Sequence, residues 1–198
     1  MNNNPIFIAE IKTKSMFNFE SKYSRNTLID TALEYGSWIS VHTDPRFGGS
    51  FDDIYQIRQL TKKPILAKGF HSHKDDIQKC FDLGADYVLC VDSKPDYLKF
   101  NASKILLEIS DLDILNRIKN GTLFWNDMKF VYNGRDLRTG VGKKSIADYK
   151  EYREKCKWLC GASLIKEPDD VQRFYPGCGA FIVGSNLVEF CRKYKKEK

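Results

Sequence analysis

The chain has 198 residues, of which 42% are hydrophobic and 29% are charged, a composition typical of one globular domain with a sizeable core. The net charge of +6 suits small anionic ligands, but basic residues do not alternate with aromatic ones on any predicted face, so nucleic-acid binding is not predicted. No apolar run approaches membrane-spanning length, and the first residues lack the charged and apolar regions of a secretory signal. We therefore expect a cytoplasmic protein that does not contact membranes.

The cysteines and histidines form no metal-ligand pattern. The six cysteines include no Cys-x-x-Cys pair and mostly fall in apolar segments, which is typical of buried thiols in a reducing compartment. Only Cys156 and Cys160 come close to ligand spacing, and they straddle a predicted helix end and a strand, far in sequence from His42, His71 and His73. We predict no metal site.

Short apolar runs alternate with amphipathic runs of helical period from one end of the chain to the other. Helical spacing relates Ile54, Ile57 and Leu60, for example, and acidic first turns mark helix starts at Asp111 and at 167–170. The candidate strands are 6–12, 38–43, 64–70, 87–92, 104–110, 130–133, 157–163 and 180–186. Strict alternation of strand and helix predicts parallel pairing, and eight such units close a compact (β/α)8 TIM barrel.

The predicted barrel occupies residues 1–198 as a single domain, with 192–198 as a basic C-terminal tail. The chain is shorter than the ~250 residues typical of the fold, so its connections must be tight. Segment 93–103 is short for a fourth helix, and 122–129 is interpreted as a loop packed by its aromatic residues. An open doubly wound sheet is the alternative, but no strand is followed by the Gly-x-Gly-x-x-Gly turn that favours it.

Functional side chains end many of the apolar runs. Glu10 and Lys12 close the first run two residues apart, a spacing that points both side chains to one face of a strand. Lys68, Glu108 and Asn133 end later runs in the same way. Taken singly, each of these residues is more often structural, for example a salt-bridged barrel lysine. Together they lie where barrel enzymes keep their chemistry, so we predict a site at one mouth of the barrel.

The order and spacing of these strand ends resemble the indole-3-glycerol-phosphate synthase family of tryptophan biosynthesis. The resemblance covers the chain from about residue 6 to about residue 190, and no single motif decides it. The segments that carry it are Glu10-Ile11-Lys12, Ser40-Val41-His42-Thr43-Asp44, Lys68-Gly69-Phe70, Asn133-Gly134-Arg135-Asp136-Leu137 and Val183-Gly184-Ser185.

The resemblance implies an enzyme that closes the indole ring of a carboxyphenylamino-deoxyribulose phosphate with loss of carbon dioxide and water, using no metal or organic cofactor. Lys68 would be the general acid that protonates the ketose oxygen, and Glu108 the general base of the dehydration step. Lys12 would pair with the substrate carboxylate or assist proton transfer. Glu10 and Asn133 would hold hydroxyls and orient the lysines.

Phosphate binding also has a physical basis in the sequence. Gly184 and Ser185 end the last predicted strand before a helix N-terminus, where backbone N–H groups favour an anion. The alternative interpretation of this pair is a tight turn. The resemblance implies that the substrate and its phosphate contact Ser15, Phe70, Arg135, Ser163, Gly184 and Ser185.

Several positions depart from the family pattern. The family's Ser-Glu-Ser-Gly-Ile reads Gly161-Ala162-Ser163-Leu164-Ile165 here, so a site carboxylate is lost at Ala162 and a glycine that lets backbone approach phosphate is lost at Leu164. Gly69 replaces the family's aspartate, and Met16 stands where a proline is expected. Family members also carry an N-terminal extension that helps to cover the substrate, whereas the first strand here begins almost at once. We expect a more open pocket.

These departures leave three alternatives. The protein is a reduced synthase, a relative that acts on a different sugar phosphate, or a non-catalytic barrel that binds a phosphorylated or anthranilate-like ligand. In each case the expected partner is a small phosphorylated molecule. The protein is expected to be a monomer or weak oligomer, with other tryptophan-pathway enzymes as candidate partners.

Overall fold

Eight parallel strands close into a barrel in the computed structural model, which describes residues 5–71, 73–91, 102–121, 127–136, 141–142, 146–174 and 179–194. The barrel strands are β1 (Ile6–Ile11), β4 (Trp38–His42), β5 (Ile65–Lys68), β6 (Tyr87–Val91), β7 (Ile105–Glu108), β8 (Lys129–Asn133), β9 (Leu159–Ala162) and β10 (Ala180–Val183). A short antiparallel hairpin, β2 (Lys14–Ser15) and β3 (Phe19–Glu20), follows the first strand. The helices are α1 (Arg25–Tyr35), α2 (Asp52–Leu60), α3 (Lys74–Asp82), α4 (Leu112–Gly121), α5 (Ile146–Lys155), α6 (Pro168–Phe174) and α7 (Leu187–Tyr194).

The strand pairing closes the sheet on itself. Strand β1 pairs in parallel with β10 on one side, with Ile8 opposite Ile182, and with β4 on the other, with Glu10 opposite Ser40. The remaining strands follow in the order β10, β9, β8, β7, β6, β5, β4. The predicted TIM barrel is thus confirmed, and the alternative of an open doubly wound sheet is wrong.

Each predicted strand coincides with an observed one, although several were predicted to run too far at their carboxyl ends. Segment 64–70 is a strand only at Ile65–Lys68, and 180–186 only at Ala180–Val183. The chain leaves the sheet at Gly69 and Gly184 to form loops around the mouth of the barrel. The short hairpin was not predicted, since strands of two residues have too few positions to show a period.

Both predicted helix starts are confirmed, and a side chain caps each of them. Asp111 accepts a hydrogen bond of 2.8 Å from the Ile114 N–H at the start of α4. Asp170 accepts from the N–H groups of Lys166 and Glu167 at the start of α6. No helix within the described residues is long and apolar enough to cross a membrane.

Three predicted segments fall partly outside the described residues. Of 93–103, the structure describes only the end, where Ala102–Lys104 form a 3-10 turn. Of the loop at 122–129, residues 122–126 lie outside. In the predicted basic tail, residues 192–194 belong to helix α7, and 195–198 lie outside the described residues.

The apolar core has one part inside the barrel and one part outside it. Outside, the strands pack against the helices, as Phe7 of β1 does against Phe190 of α7. The inner cluster consists of Ile8, Trp38, Leu66, Leu89, Leu106, Val131, Cys160, Ala162, Ala180 and Ile182. Because both faces of each strand are buried, the strands appear in the sequence as continuous apolar runs.

Aromatic rings close the amino-terminal end of the barrel. Trp38 stacks on Tyr87 and on Trp158, with ring centroids 4.2 and 6.4 Å apart. The barrel interior is therefore apolar from this end up to the level of the strands' carboxyl ends, where the buried polar side chains begin.

The cysteines of the described residues are buried thiols outside any disulfide, as the sequence predicted; they are Cys80, Cys90, Cys156, Cys160 and Cys191. Burial raises the pKa of Cys80, Cys156 and Cys191 to about 12, so these thiols stay protonated and behave as small apolar side chains.

Candidate active site

A cavity of about 390 Å³ opens at the carboxyl ends of the barrel strands. Its size falls within the range of roughly 300–1,000 Å³ found for small-molecule sites. Ten of the eleven predicted site residues line it: Glu10, Lys12, Lys68, Phe70, Glu108, Asn133, Arg135, Ser163, Gly184 and Ser185. Ser15 does not line the cavity; it lies in strand β2, where its hydroxyl accepts a hydrogen bond from the Phe17 N–H.

A buried ion pair at the base of the cavity joins strands β1 and β5. The Lys68 ammonium at the end of β5 lies 2.6 Å from Oε1 of Glu10 in β1, and the two side chains are only 15% and 5% exposed. Burial disfavours the charge on Glu10, but Lys68, His42 and Lys12 outweigh burial and lower the pKa of Glu10 well below its usual value.

The pKa of Lys68 shifts in the opposite direction. Burial favours the neutral amine, but the carboxylates of Glu10 and Glu108 outweigh burial and raise the pKa of Lys68. The pair is therefore an ammonium beside a carboxylate at neutral pH, and Lys68 holds a proton that it can donate.

Lys12 lies close to two aromatic rings. Its ammonium lies 5.6 Å from the ring centre of Phe19 and 5.5 Å from that of Phe47, both within cation–π range. Burial lowers the pKa of Lys12, and the pull of Glu10 in the other direction does not reverse the shift, because Lys68 and Arg135 add to the lowering. An anionic ligand would stabilise the positive charge of a partly desolvated ammonium of this kind.

Glu108 and Asn133 form a second buried polar pair. The Asn133 side-chain amide donates a hydrogen bond of 3.0 Å to Oε1 of Glu108, and its oxygen accepts from the Arg135 N–H at 3.1 Å. An ionised carboxylate only accepts hydrogen bonds, which fixes the orientation of the amide. Asn133 thus connects the carboxylate of β7 to the loop that carries Arg135.

The end of strand β10 lies directly against Glu10. A Cβ added to Gly184 would lie 1.9 Å from Oε2 of Glu10, so only glycine fits there with the carboxylate in place. Ser185 and Asn186 follow as cavity-lining residues, and Leu187 begins helix α7. The N–H groups at this helix start face a cavity with several cations, which is a favourable place for an anion.

The loop after β9 shows how the two departures from the predicted pattern are accommodated. Ala162 is buried inside the barrel and lies opposite Asn133 in the strand register. Leu164 covers Gly134, because a Cβ at 134 would lie 2.2 Å from Cδ2 of Leu164. Ser163 between them has a left-handed backbone, with φ of 60°. The side chain gained at 164 therefore occupies the space above a glycine at 134.

Several residues that line the cavity were not predicted from the sequence to be site residues. These are His42, Phe17, Phe19, Phe47, Lys166 and Asn186, together with apolar side chains of the strands. His42 is the last residue of β4, so the rule that picked out Lys68 would also have found it. The phenylalanines come from the hairpin and from the turn at Pro45–Phe47, which show no local signal of their position.

The close approach of Gly184 and Glu10 gives a stability prediction. Gly184→Ala is expected to displace the Glu10 carboxylate from Lys68 and to destabilise the fold by about 1–3 kcal/mol, the usual range for overpacking. Thermal unfolding measures the change. Gly161→Ala is the matched control, because its Cβ would meet only atoms at 3.7 and 3.8 Å, which is ordinary contact. An equal loss of stability in both variants would contradict the geometry.

Comparisons of the sequence with known proteins agree on one family. The model of a family described as "Indole-3-glycerol phosphate synthase" matches residues 1–196. An indole-3-glycerol phosphate synthase of Staphylococcus haemolyticus is 32% identical, over 94% of this chain and 76% of the relative. Those of Lachnospira eligens and Sulfurisphaera tokodaii are 28% and 26% identical, over 92% and 96% of this chain and 74% and 80% of the relatives.

Solved structures share the fold at low sequence identity. KGPDC from Streptococcus mutans has a TM-score of 0.70 at 14% identity, over 98% of this chain and 97% of that chain. Monomers of the dimeric phosphoribosylantranilate isomerase from Thermotoga maritima have a TM-score of 0.68 at 10% identity, over 98% and 100%. At these identities the likeness shows the TIM-barrel architecture alone.

Proposed function

The chain belongs to the indole-3-glycerol phosphate synthase family, and from that premise we propose that it closes the indole ring of a carboxyphenylamino-deoxyribulose phosphate, with loss of carbon dioxide and water. The observation that carries the proposal is the protonated Lys68, held 2.6 Å from Glu10 at the base of the cavity and close enough to Glu108 for that carboxylate to raise its pKa. An acid and a base thus lie within one cavity, and the reaction requires an acid for ring closure and a base for the loss of water.

In the first step the anilinic ring carbon that bears the carboxylate attacks the ketose carbonyl carbon. Lys68 donates its proton to the carbonyl oxygen as negative charge develops there. The bond to the carboxylate then breaks, carbon dioxide leaves, and its bonding electrons restore the aromatic ring. Glu10 stays ionised beside Lys68 throughout and holds the ammonium in place.

In the second step the new hydroxyl takes a proton from Lys12 and departs as water, and the five-membered ring loses a proton. Lys12 is available because the substrate carboxylate has already left as carbon dioxide. Glu108 is the base that takes this proton, and its hydrogen bond from Asn133 holds it at the end of β7. Glu108 is 3% exposed, which limits the access of bulk water to its carboxylate.

The charges and aromatic rings of the cavity suit such a substrate. The cavity is lined by four cationic side chains, Lys12, Lys68, Arg135 and Lys166, against the two carboxylates of Glu10 and Glu108. This excess of positive charge favours an anionic ligand. In the proposal, Lys12 pairs with the carboxylate of the substrate. The phosphate lies at the start of α7, near Gly184, Ser185 and Arg135. The phenylalanines that line the cavity contact the aromatic ring of the substrate.

The test is a turnover assay of the purified protein with the carboxyphenylamino-deoxyribulose phosphate. The appearance of indole fluorescence on mixing supports the proposal. The same precursor without its phosphate is the control, and we expect it to react far more slowly, because the cations and N–H groups at one end of the cavity lose their ligand. Ligand binding without fluorescence would favour the second candidate instead.

That second candidate is a barrel that binds a phosphorylated or anthranilate-like ligand without catalysis. The observation in its favour lies at β9, where Ala162 supplies no carboxylate to the barrel interior and Leu164 closes over Gly134. The loss of one charged group weakens a site without abolishing it when acid, base and anion-binding groups remain, so the synthase reaction stays the better proposal.

The double variant Ala162→Glu with Leu164→Gly distinguishes the two candidates. In a weakened synthase we expect it to raise turnover or to tighten phosphate-ligand affinity at least several-fold, because a carboxylate returns beside Asn133 and backbone can approach the phosphate. Initial rates and thermal-shift titrations measure both effects. Leu164→Ala is the control, since it uncovers Gly134 without adding the freedom of glycine. Undetectable synthase activity with damaged ligand binding in the double variant would favour the binding protein.

A further inference from the structure

His42 takes part in the central ion pair, although no role was predicted for it. Its Nε2 lies 2.8 Å from Oε1 of Glu10, the same oxygen that Lys68 contacts at 2.6 Å. One carboxylate oxygen therefore holds both an ammonium and an imidazole. The His42 side chain is 4% exposed, so water does not compete for this contact.

The loop after β4 packs against both the ring and the backbone of His42. Phe47 stacks on the ring, with ring centroids 4.7 Å apart and an angle of 9° between the ring planes. Gly49 presses on the backbone of His42, since a Cβ there would lie 2.0 Å from the His42 carbonyl oxygen and 2.9 Å from its Cβ. Gly48, with φ of 75°, turns the chain so that this loop folds back over the histidine. Rotation of the ring away from Glu10 would therefore break its stacking on Phe47.

The partners of the ring decide its protonation state. An ionised Glu10 can only accept, so Nε2 carries the hydrogen, while Nδ1 is buried with no hydrogen-bond partner among the described residues. A buried N–H without an acceptor is rarer than a lone pair without a donor, which favours the neutral Nε2–H tautomer. The charged groups that act on the ring are Glu10, Lys12, Lys68 and Asp44. Burial lowers the pKa of His42, and the attraction of Glu10 does not reverse it.

We propose that His42 is a positioning residue whose neutral Nε2–H holds Oε1 of Glu10 in place and thereby fixes where Lys68 presents its proton. Lys68 alone would leave the carboxylate free to rotate about its last bond. With the imidazole on the same oxygen, the carboxylate has one orientation, its other oxygen faces Gly184, and the ammonium has one position. The kinetic consequence of this role rests on the proposed function, but the hydrogen bond itself does not.

The hydrogen bond is tested on the unmodified protein by NMR of ¹⁵N-labelled imidazole rings, with the His42 signals assigned from a His42→Gln sample. We expect an Nε2–H tautomer at neutral pH, titrating below the ordinary histidine value of about 6.5. A His42 ring that carries its proton on Nδ1, or that is charged at neutral pH, would overturn the proposal whether or not the protein is a synthase.

The positioning role is tested by kinetics of two substitutions. His42→Leu removes the donor, and we expect kcat to fall roughly tenfold, with KM little changed, since a hydrogen bond to a charged group is lost. Without that donor the pKa of Glu10 rises, so the acid limb of the pH–rate profile moves to higher pH. His42→Gln retains an N–H near the position of Nε2, and we expect it to keep most of the turnover and the original acid limb.

His71 supplies the control for a purely structural effect. It is also buried, but it bonds to the Leu89 carbonyl and to Thr43 and does not contact the ion pair. His71→Asn is expected to lower the unfolding temperature without moving the acid limb. A His42→Leu enzyme with the unmodified pH profile, or a His42→Gln enzyme no better than His42→Leu, would overturn the positioning role. Absence of turnover in the unmodified protein would instead contradict the proposed function.

Discussion

Lys68→Ala is expected to lower turnover by about 10²–10⁴-fold while changing ligand affinity far less. A general acid acts on charge that develops only in the transition state, so its removal affects kcat rather than ground-state binding. Lys68 suits this role because Glu10 and Glu108 keep it protonated at the base of the cavity. Initial rates by indole fluorescence and ligand affinity by thermal shift measure the two effects.

Lys68→Arg separates the loss of the acid from the loss of the charge. A guanidinium retains the positive charge beside Glu10, but it does not give up its proton in proteins. We therefore expect Lys68→Arg to be inactive while keeping more of the folding stability than Lys68→Ala. Lys62→Ala, at an exposed lysine, is the control for removing a positive charge from the chain. Substantial activity in Lys68→Ala would mean that another group donates the proton.

The second large effect is expected for Glu108→Gln. The amide has nearly the volume of the carboxylate, and its oxygen can still accept the hydrogen bond from Asn133, so the change removes little more than the charge and the base. Turnover is expected to fall by about 10²–10⁴-fold. Because Glu108 acts after ring closure, a single turnover should still release carbon dioxide while indole fluorescence fails to appear.

This separation of the two products distinguishes Glu108 from Lys68. In Lys68→Ala neither carbon dioxide nor indole should form, because the first step is blocked. Glu20→Gln is the matched control, at an exposed glutamate of strand β3 outside the cavity. Simultaneous loss of both products in Glu108→Gln would place Glu108 in the first step, and full turnover would show that another group is the base.

The strands and their polar ends could be predicted from the sequence because both are local properties. An apolar run such as 105–107 followed by Glu108 indicates a buried strand and its end. In a parallel barrel all carboxyl ends meet at one mouth, so residues as distant as Glu10 and Asn133 were expected to share a cavity, and they do.

The remaining features depend on contacts between distant segments. Leu164 covers Gly134, which lies 30 positions earlier in the chain, and no pattern near either residue indicates the other. Gly184 was predicted only as a phosphate-binding residue, and no local pattern indicated that its lack of a side chain makes room for Glu10. His42 was overlooked because its segment was matched as a motif and its own side chain was not considered as a polar strand end.

The most direct test of the account is the product balance of a single turnover by the unmodified protein. With enzyme in excess over the carboxyphenylamino-deoxyribulose phosphate, trapped carbon dioxide and indole fluorescence are measured in the same reaction. We expect one carbon dioxide and one indole for each substrate consumed, and neither product when Lys68→Ala replaces the unmodified protein. Binding of the substrate, seen as a rise in unfolding temperature, without release of either product would rule out the synthase reaction.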